Sequence, residues 1–386
     1  MLTVFLAKKN EMENSADVAV IGGGIVGLAH AYAALRKGAR VVLFERERFA
    51  VGASVRNFGL LWPIGQEPGN NLEIALKSRE IWSEITHEAG LWLNPNGSLH
   101  LAYHADEKNV LEEFIELYKD APYKFKLLTP AEVKESLPAV KPTGLKAALW
   151  SQTEATVNAR EAIRTIPIWL KEKHKLELRF GSAVHEVNYP LVKTATETWR
   201  AEKIFVCPGA DFDTLYPELY REAPITKCKL QMMKGVTPTT TPLGPTLCAG
   251  LTLRHYAAFS KCRSLTAVDE RYNQASPEFE KYGIHVLLGQ NNHGEFIIGD
   301  SHEYGRTLEP FDKAEIDQII LKYLSTFCSI KNIAITEHWH GIYPKLNGST
   351  FMIERPEKNV VMVNGLGGAG MTLSFGLANR IVEQEL

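Results

Sequence analysis

Apolar positions along the chain alternate between two periods. Residues 18–21 (Val-Ala-Val-Ile) are a continuous apolar run, as a strand buried on both faces requires. Residues 28–37 then carry helical spacing up to Gly38, and 40–44 (Arg-Val-Val-Leu-Phe) return to strand. Helical patterns follow at Leu72–Glu88, Asp106–Lys119, Pro130–Ser136 and Ala159–Lys173, with Thr129 placed to cap the helix that begins at Pro130. Between them residues 97–103 alternate like a sheet strand, and 176–180, 183–187 and 203–209 read as short strands. Residues 225–301 are expected to be strand-rich, most clearly at 231–234, 285–288 and 295–300. An amphipathic helix is expected over Asp312–Phe327. The chain closes on a strand at 359–364, a glycine-rich turn at 365–370 and a helix from Thr372 to Glu385. The pattern predicts an α/β chain, α+β overall, in which the first and last segments share one logic and a sheet-rich part is interleaved.

Composition narrows the class. With 386 residues, 45% hydrophobic and 23% charged, the chain is an ordinary globular protein long enough for two cores. Its net charge of −2 gives no overall pull toward nucleic acid or an anionic membrane. No apolar run approaches the roughly 18 residues that cross a bilayer. The apolar stretch at residues 1–7 is too short for a signal sequence, and Lys8 and Lys9 follow it instead of preceding it. Residues 1–15 therefore read as a loose tail or a short pairing segment. The five cysteines (207, 228, 248, 262 and 328) are odd in number and show no C-x-x-C, which reads as buried thiols in a reducing cytoplasm and not as a zinc site. Glu337-His-Trp-His340 puts two histidines on one side of a strand, with no third ligand at useful spacing. His100 and His104 read as solvent-facing strand-end residues.

Two segments carry chemistry. In the first, Gly22, Gly24 and Gly27 complete G-x-G-x-x-G between a strand and a helix, and the next strand delivers Glu45. Gly22 permits the tight turn, Gly24 the approach of a pyrophosphate, and Gly27 close helix–strand packing. The helix N-terminus offers N–H groups to phosphate, and Glu45 would accept from ribose hydroxyls. Strand, glycines, helix, strand and acid in this order predict dinucleotide binding. In the second, Gly365, Gly367, Gly368 and Gly370 let backbone lie flat against a planar ligand, and the helix behind them points its dipole at negative charge. A nicotinamide enzyme has no need of this second site, whereas a reduced flavin carries negative charge at N1 and C2=O.

Residues 16–386 resemble the FAD-dependent oxidoreductases of the glycine oxidase, sarcosine oxidase and D-amino-acid oxidase family. Three blocks carry the likeness: V-I-G-G-G-I-V-G with Glu45-Arg46, Gly52-Ala-Ser-Val-Arg-Asn-Phe-Gly59, and the C-terminal G-L-G-G-A-G-M-T. Weaker echoes are Val157-Asn-Ala-Arg160, Ala183-Val184 and Val206-Cys-Pro-Gly209. The resemblance implies a Rossmann-type FAD-binding domain that is discontinuous (16–62, 151–215 and 328–386), with an inserted antiparallel-sheet substrate domain (63–150 and 216–327). FAD would then lie against Gly22, Gly24, Ile25, Val26, Gly27, Glu45 and Arg46, under Ala53, Ser54, Arg56, Asn57 and Gly59. Val184, Gly209, Gly367, Gly368, Gly370, Met371 and Thr372 would complete its surroundings. Some sarcosine oxidases hold their flavin covalently through a cysteine in this last part of the chain; none follows Cys328 here, so non-covalent FAD is expected.

The wording S-V-R-N-F-G, C-P-G-A-D-F, C-K-L-Q-M, G-D-S-H-E-Y and G-M-T-L-S-F-G is similar to a branch associated with aminophosphonate catabolism. That likeness implies a small primary or N-methylated amine bearing a phosphonate, oxidised to an imine that hydrolyses to the aldehyde. Glycine-oxidase-like members clamp the substrate carboxylate with an arginine in G-x-R-P; here the segment is Gly341-Ile-Tyr-Pro-Lys345, and the arginine is absent. An ordinary α-amino acid is then the second choice, and a macromolecule-borne amine the third. For the substrate anion the candidates are Arg254, His255, Lys345 and Arg56, with spread donors suited to three phosphonate oxygens. Tyr256 and Tyr343 are candidate lid or ring-facing groups. Each has a bland alternative: a strand-end charge for Arg254, a satisfied histidine for His255, core packing for the tyrosines, a phosphate bridge for Arg56. Electrons would pass to oxygen or to a separate carrier.

Overall fold

A computed structural model describes residues 14–238 and 242–386. Most of the expected tail lies outside the described residues, while Asn14 and Ser15 open the first strand. Asn14–Ile21 and Val41–Glu45 pair in parallel, joined by the helix Ile25–Arg36. Gly38, at φ +84°, adopts the left-handed conformation just past the end of that helix. The parallel core runs, in space, Glu177–Phe180, Val41–Glu45, Asn14–Ile21, Thr198–Val206 and Val360–Asn364. Each of these strands ends at the same edge of the sheet. The turns after Ile21, Glu45, Phe180, Val206 and Asn364 all line one cavity there. Open parallel sheets bind ligands outside the carboxyl ends of their strands, and this is the Rossmann-type arrangement.

A second, nine-stranded sheet is antiparallel except where Ser98–Ala102 runs parallel to Thr246–Ala249. Its spine is Ile225–Val236 paired along its length with Ala334–Leu346. The latter strand falls in the expected cofactor-binding part, yet its ladder places it in the second sheet. Likewise Asn70–Glu88, which falls in the expected substrate part, packs against the C-terminal helix Gly370–Glu385 and shares its core. At their closest approach a Cβ on Gly376 would lie 2.1 Å from the Ile74 carbonyl oxygen. Gly376→Ala is expected to destabilise the fold by about 1–3 kcal/mol through forced separation of the two helices. A thermal melt would show it as a lowered Tm, and an unchanged Tm would mean the helices part without cost.

The strand-rich expectation for residues 225–301 holds only at its ends. Leu251–His255, Leu265–Ala275 and Pro277–Lys281 are helical, so Arg254 and His255 sit at a helix C-terminus and not on a strand. The C-terminal helix begins at Gly370, two residues before the expected start. The capped helix Pro130–Ser136 forms as read, Thr129 accepting from the Glu132 amide. His100 corrects a reading of surface exposure. Both faces of Ser98–Ala102 are buried, because the second sheet is covered on each side, and His100 is 1% exposed with burial pushing its pKa down to about 3.

Candidate active site

The cavity at the strand ends encloses about 820 Å³, in the range of small-molecule sites. One end is built from the first glycine motif. Gly22, at φ +108°, passes so close to the next strand that a Cβ would lie 2.2 Å from the Cys207 carbonyl oxygen. A Cβ on Gly27 would lie 1.8 Å from the Gly22 carbonyl oxygen, so Gly27 serves the packing of strand on helix and does not line the cavity. Gly24, Ile25 and Val26 do line it, which aims the helix N-terminus at the space. The Ser54 hydroxyl accepts from the Ile25 amide at 2.9 Å, tying the 52–59 loop to that terminus.

Glu45 is almost wholly buried, its carboxylate accepting from the Gly23 amide at 2.8 Å and the Glu47 amide at 2.9 Å. Held from both sides, it presents remaining lone pairs to the cavity, as a ribose diol requires. Arg46 pairs with Asp211 at the rim. Asn57 faces inward to its own loop: its amide donates to the Ala53 and Ser54 carbonyls and its oxygen accepts from Gly59. Gly59, at φ +76°, lies against Val157 and is a packing residue of that loop. Val184 and Gly209 line the same end.

The second glycine turn forms the cavity's other wall. Gly365 and Gly367 adopt φ of +78° and +58°, and Gly367, Gly368, Gly370, Met371 and Thr372 line the space. The helix Gly370–Glu385 begins here, its N-terminal amides and dipole facing in. Thr372 fixes the wall, its hydroxyl accepting from the Trp62 amide at 2.9 Å. A side chain at Gly367 would press on Lys345, whose Cδ lies 3.3 Å from the Cβ position. Two helix N-termini, a buried diol acceptor and a flat glycine wall form the donor set that a flavin dinucleotide needs.

Beyond the glycine wall lie groups from the second sheet and from the helical segment within it. Arg56 reaches the His340 carbonyl oxygen at 3.1 Å, while its own carbonyl accepts from the Trp339 indole. Tyr256, Tyr343 and Lys345 line the cavity, and burial raises both tyrosines well above the usual phenol range. His255 is exposed to the cavity, and its ring stacks on His285 at 4.1 Å and 7°. The ring of His302 lies 4.7 Å from it, and the Asp300 carboxylate lies 3.2 Å from His285 Nδ1. Desolvation by the protein atoms around the ring, then His285, His302 and Lys345, push the His255 pKa below the ordinary imidazole value.

His285, Asp300 and His302 join the site without any sequence expectation. They lie in or beside strands 285–288 and 295–300, and only the antiparallel pairing of Leu287–Gln290 with Phe296–Gly299 brings them to His255. The signal available is the pair of histidines, one opening the apolar run at 285–288 and the other following Gly-Asp-Ser at the end of the next. Arg254 is corrected: it does not line the cavity. Its guanidinium is held by Asp269 at 2.5 Å, Asn273 at 2.9 Å and Glu280 at 3.3 Å, which leaves it no charge to offer a substrate. His338 and His340 do share a side of their strand and face Asp317 and Asp312, each at 2.9 Å. No group of three metal-ligating side chains occurs among the described residues.

A family model described as DAO, FAD dependent oxidoreductase, matches residues 17–384. Among curated proteins, the chain is 28% identical over 137 residues to a subunit of the anaerobic glycerol-3-phosphate dehydrogenase of Escherichia coli (strain K12), covering 35% of this chain and 25% of that protein. It is 23% identical over 215 residues to glycine oxidase of Geobacillus kaustophilus (strain HTA426), covering 52% of this chain and 56% of the other. These matches span between a quarter and just over half of the relatives' lengths. Among solved structures, L-proline dehydrogenase from P. horikoshii superposes with a TM-score of 0.78 at 22% identity, covering 96% of this chain and 93% of that one. At that identity the likeness speaks for the fold.

Proposed function

The chain belongs to the FAD-dependent oxidoreductase family whose model spans residues 17–384, and on that premise we propose that it oxidises a small anionic amine, an aminoalkylphosphonate in first place. The bound flavin supplies acceptance of two electrons from the substrate's C–H bond. The protein's own residues bind, orient and screen. The amides at Gly24–Val26 and the carboxylate of Glu45 would hold the pyrophosphate and ribose, and those at Gly370–Thr372 would face the ring's electron-rich edge. FAD would be non-covalent: the one cysteine lining the cavity among the described residues, Cys207, lies against Gly22 at the pyrophosphate end. Five free, buried cysteines fit a reducing compartment such as the cytoplasm. No helix among the described residues is long and apolar enough to cross a membrane.

One observation carries the substrate class. Arg56 and Lys345 line the cavity beyond the glycine wall, and neither forms an ion pair with a carboxylate among the described residues. Two unneutralised cations beside the two tyrosines favour an anionic head group, while the position of the missing arginine holds Tyr343. Without the bidentate fork that suits a planar carboxylate, separate donors suit a tetrahedral anion. The domain division expected from the sequence (63–150 and 216–327 as substrate part) we retain for residues 216–327 and extend to strand 334–346, which carries Tyr343 and Lys345.

The test is anaerobic mixing of the yellow protein with N-methyl-2-aminoethylphosphonate, 2-aminoethylphosphonate, sarcosine, glycine and D-alanine. Loss of the oxidised-flavin absorbance with the aminophosphonates alone supports the reading. Loss with the carboxylates alone replaces it with an amino-acid substrate, and readmitting air tells oxygen from a separate carrier as acceptor.

A further inference from the structure

Resting on the anionic-amine reading, we propose that Asp300 and His302 form the subsite for the substrate's amine. The cavity is then bipolar and selects a zwitterion, with the anionic head group on Arg56 and Lys345 and the nitrogen on Asp300 and His302. The argument starts from the charges that line the substrate end. Arg56 and Lys345 bring two positive charges, and a phosphonate dianion matches both. That leaves the Asp300 carboxylate, which lines the same space at 6% exposure and has no lysine or arginine against it among the described residues. A negative charge so enclosed is costly unless a cation meets it. The ammonium of an aminoalkylphosphonate is that cation, whereas an alkylphosphonate of the same length leaves Asp300 unmatched.

The pattern of donors and acceptors points the same way. An ionised carboxylate only accepts, so the Nδ1–H of His285 donates to Asp300 at 3.2 Å. This holds the carboxylate in place and leaves its other oxygen without a bond among the described residues. A carbonyl oxygen likewise only accepts, so Nδ1 of His302 carries the proton that it gives to Gly283 at 2.8 Å. His302 lines the cavity and Gly283 does not, so the ring turns Nδ1 to the protein and Nε2 to the space. Nε2 bonds no group among the described residues. Burial of the ring pushes its pKa down against the pull of Asp300, which leaves Nε2 with a bare lone pair. A free carboxylate oxygen and an imidazole lone pair are two acceptors. An anionic head group has no use for either, and the N–H groups of a primary or secondary ammonium fit both.

Neighbouring groups single out these two. The Asp300 charge is felt at Tyr256, Tyr343 and His302, which sets it among the groups around the substrate end. His285 supports Asp300 but does not meet the ligand, because its Nε2 is buried out of reach. Glu67, another carboxylate lining the cavity, is already paired with Lys261 at 3.4 Å.

The experiment compares two ligands of nearly equal shape, 2-aminoethylphosphonate and propylphosphonate, on the FAD-loaded protein without oxygen. Kd for propylphosphonate is read from the shift of the flavin spectrum, and Kd for the amine from the same shift or from the concentration dependence of flavin reduction. In the wild-type chain the amine should bind about 10–100-fold more tightly, as a hydrogen bond to a charged group implies. Asp300→Asn keeps the shape and the acceptor for His285. It should remove most of that margin by weakening the amine alone, and propylphosphonate should bind as before or more tightly, since a negative charge is gone. His302→Phe should weaken the amine about tenfold and spare propylphosphonate, and it serves alone if Asp300→Asn does not retain flavin. Equal Kd for the two ligands in the wild-type chain overturns this inference and leaves the anionic-substrate reading standing. Variants that weaken both ligands alike, or that leave the amine's Kd unchanged, do the same. Binding of neither phosphonate overturns the anionic-substrate reading and the inference with it.

Discussion

Gly24→Val is expected to purify colourless, folded and without FAD. Gly24 has φ −73° and so needs no glycine for its backbone conformation; what it needs is space. A Cβ there already lies 3.0 Å from the Ser54 hydroxyl, which accepts from the Ile25 amide at 2.9 Å. Valine would push Ser54 aside and set two methyl groups over the helix N-terminus where the pyrophosphate belongs. Losing two charge-assisted hydrogen bonds costs about 3–6 kcal/mol, or roughly 10²–10⁴-fold in FAD affinity. The flavin-to-protein absorbance ratio measures this, and circular dichroism establishes that the fold survives. Gly27→Val behaves differently, because its Cβ would meet backbone at 1.8 Å and the fold itself should fail. A yellow Gly24→Val variant with full FAD content would mean that the pyrophosphate lies elsewhere.

That contrast shows what a sequence makes legible. Strand 14–21, the glycine turn, helix 25–36 and Glu45 are local in the chain, and each follows from an apolar period or a backbone requirement that neighbouring residues state on their own. The Gly365–Thr372 wall is legible for the same reason, and two such helix starts with glycines before them point at one flat, charged ligand. The substrate end is different. His255 is at the end of a five-residue helix within a stretch that reads as strands, since three short helices of 5–11 residues leave little periodic signal. Asp300 and His302 reach it through strand pairing, and the short Gly-Asp-Ser-His run that holds them does not by itself say which cavity they face. Arg254 and His255 are adjacent, yet one turns to Asp269 and the other to the cavity; the sequence holds no sign of which. The burial of His100 is invisible for another reason: alternation distinguishes two faces of a strand and says nothing of whether both are covered.

Lys345→Met should raise KM for an anionic amine by about 10–100-fold, corresponding to the roughly 1.5–3 kcal/mol of a hydrogen bond to a charged group. FAD should stay bound, because Lys345 meets the glycine wall through backbone pairing with Leu366, which methionine preserves. Methionine also keeps the stem's contact with the wall, so the change is of charge and not of volume. If Lys345 holds the anion equally in the bound and reacting states, KM rises while kcat stays, the mark of uniform binding. A fall in kcat with little change in KM would instead place the ammonium beside the electron-rich edge of the flavin, since the lysine stem lies 3.3 Å from the Cβ position of Gly367. An amine with no anionic group separates the two further. Its KM should not move if the lysine binds substrate charge, and its rate should fall if the lysine acts on the flavin. Unchanged kinetics for both amines would leave Arg56 as the cation of the site, since it is the other unpaired positive charge lining the cavity beyond the glycine wall among the described residues.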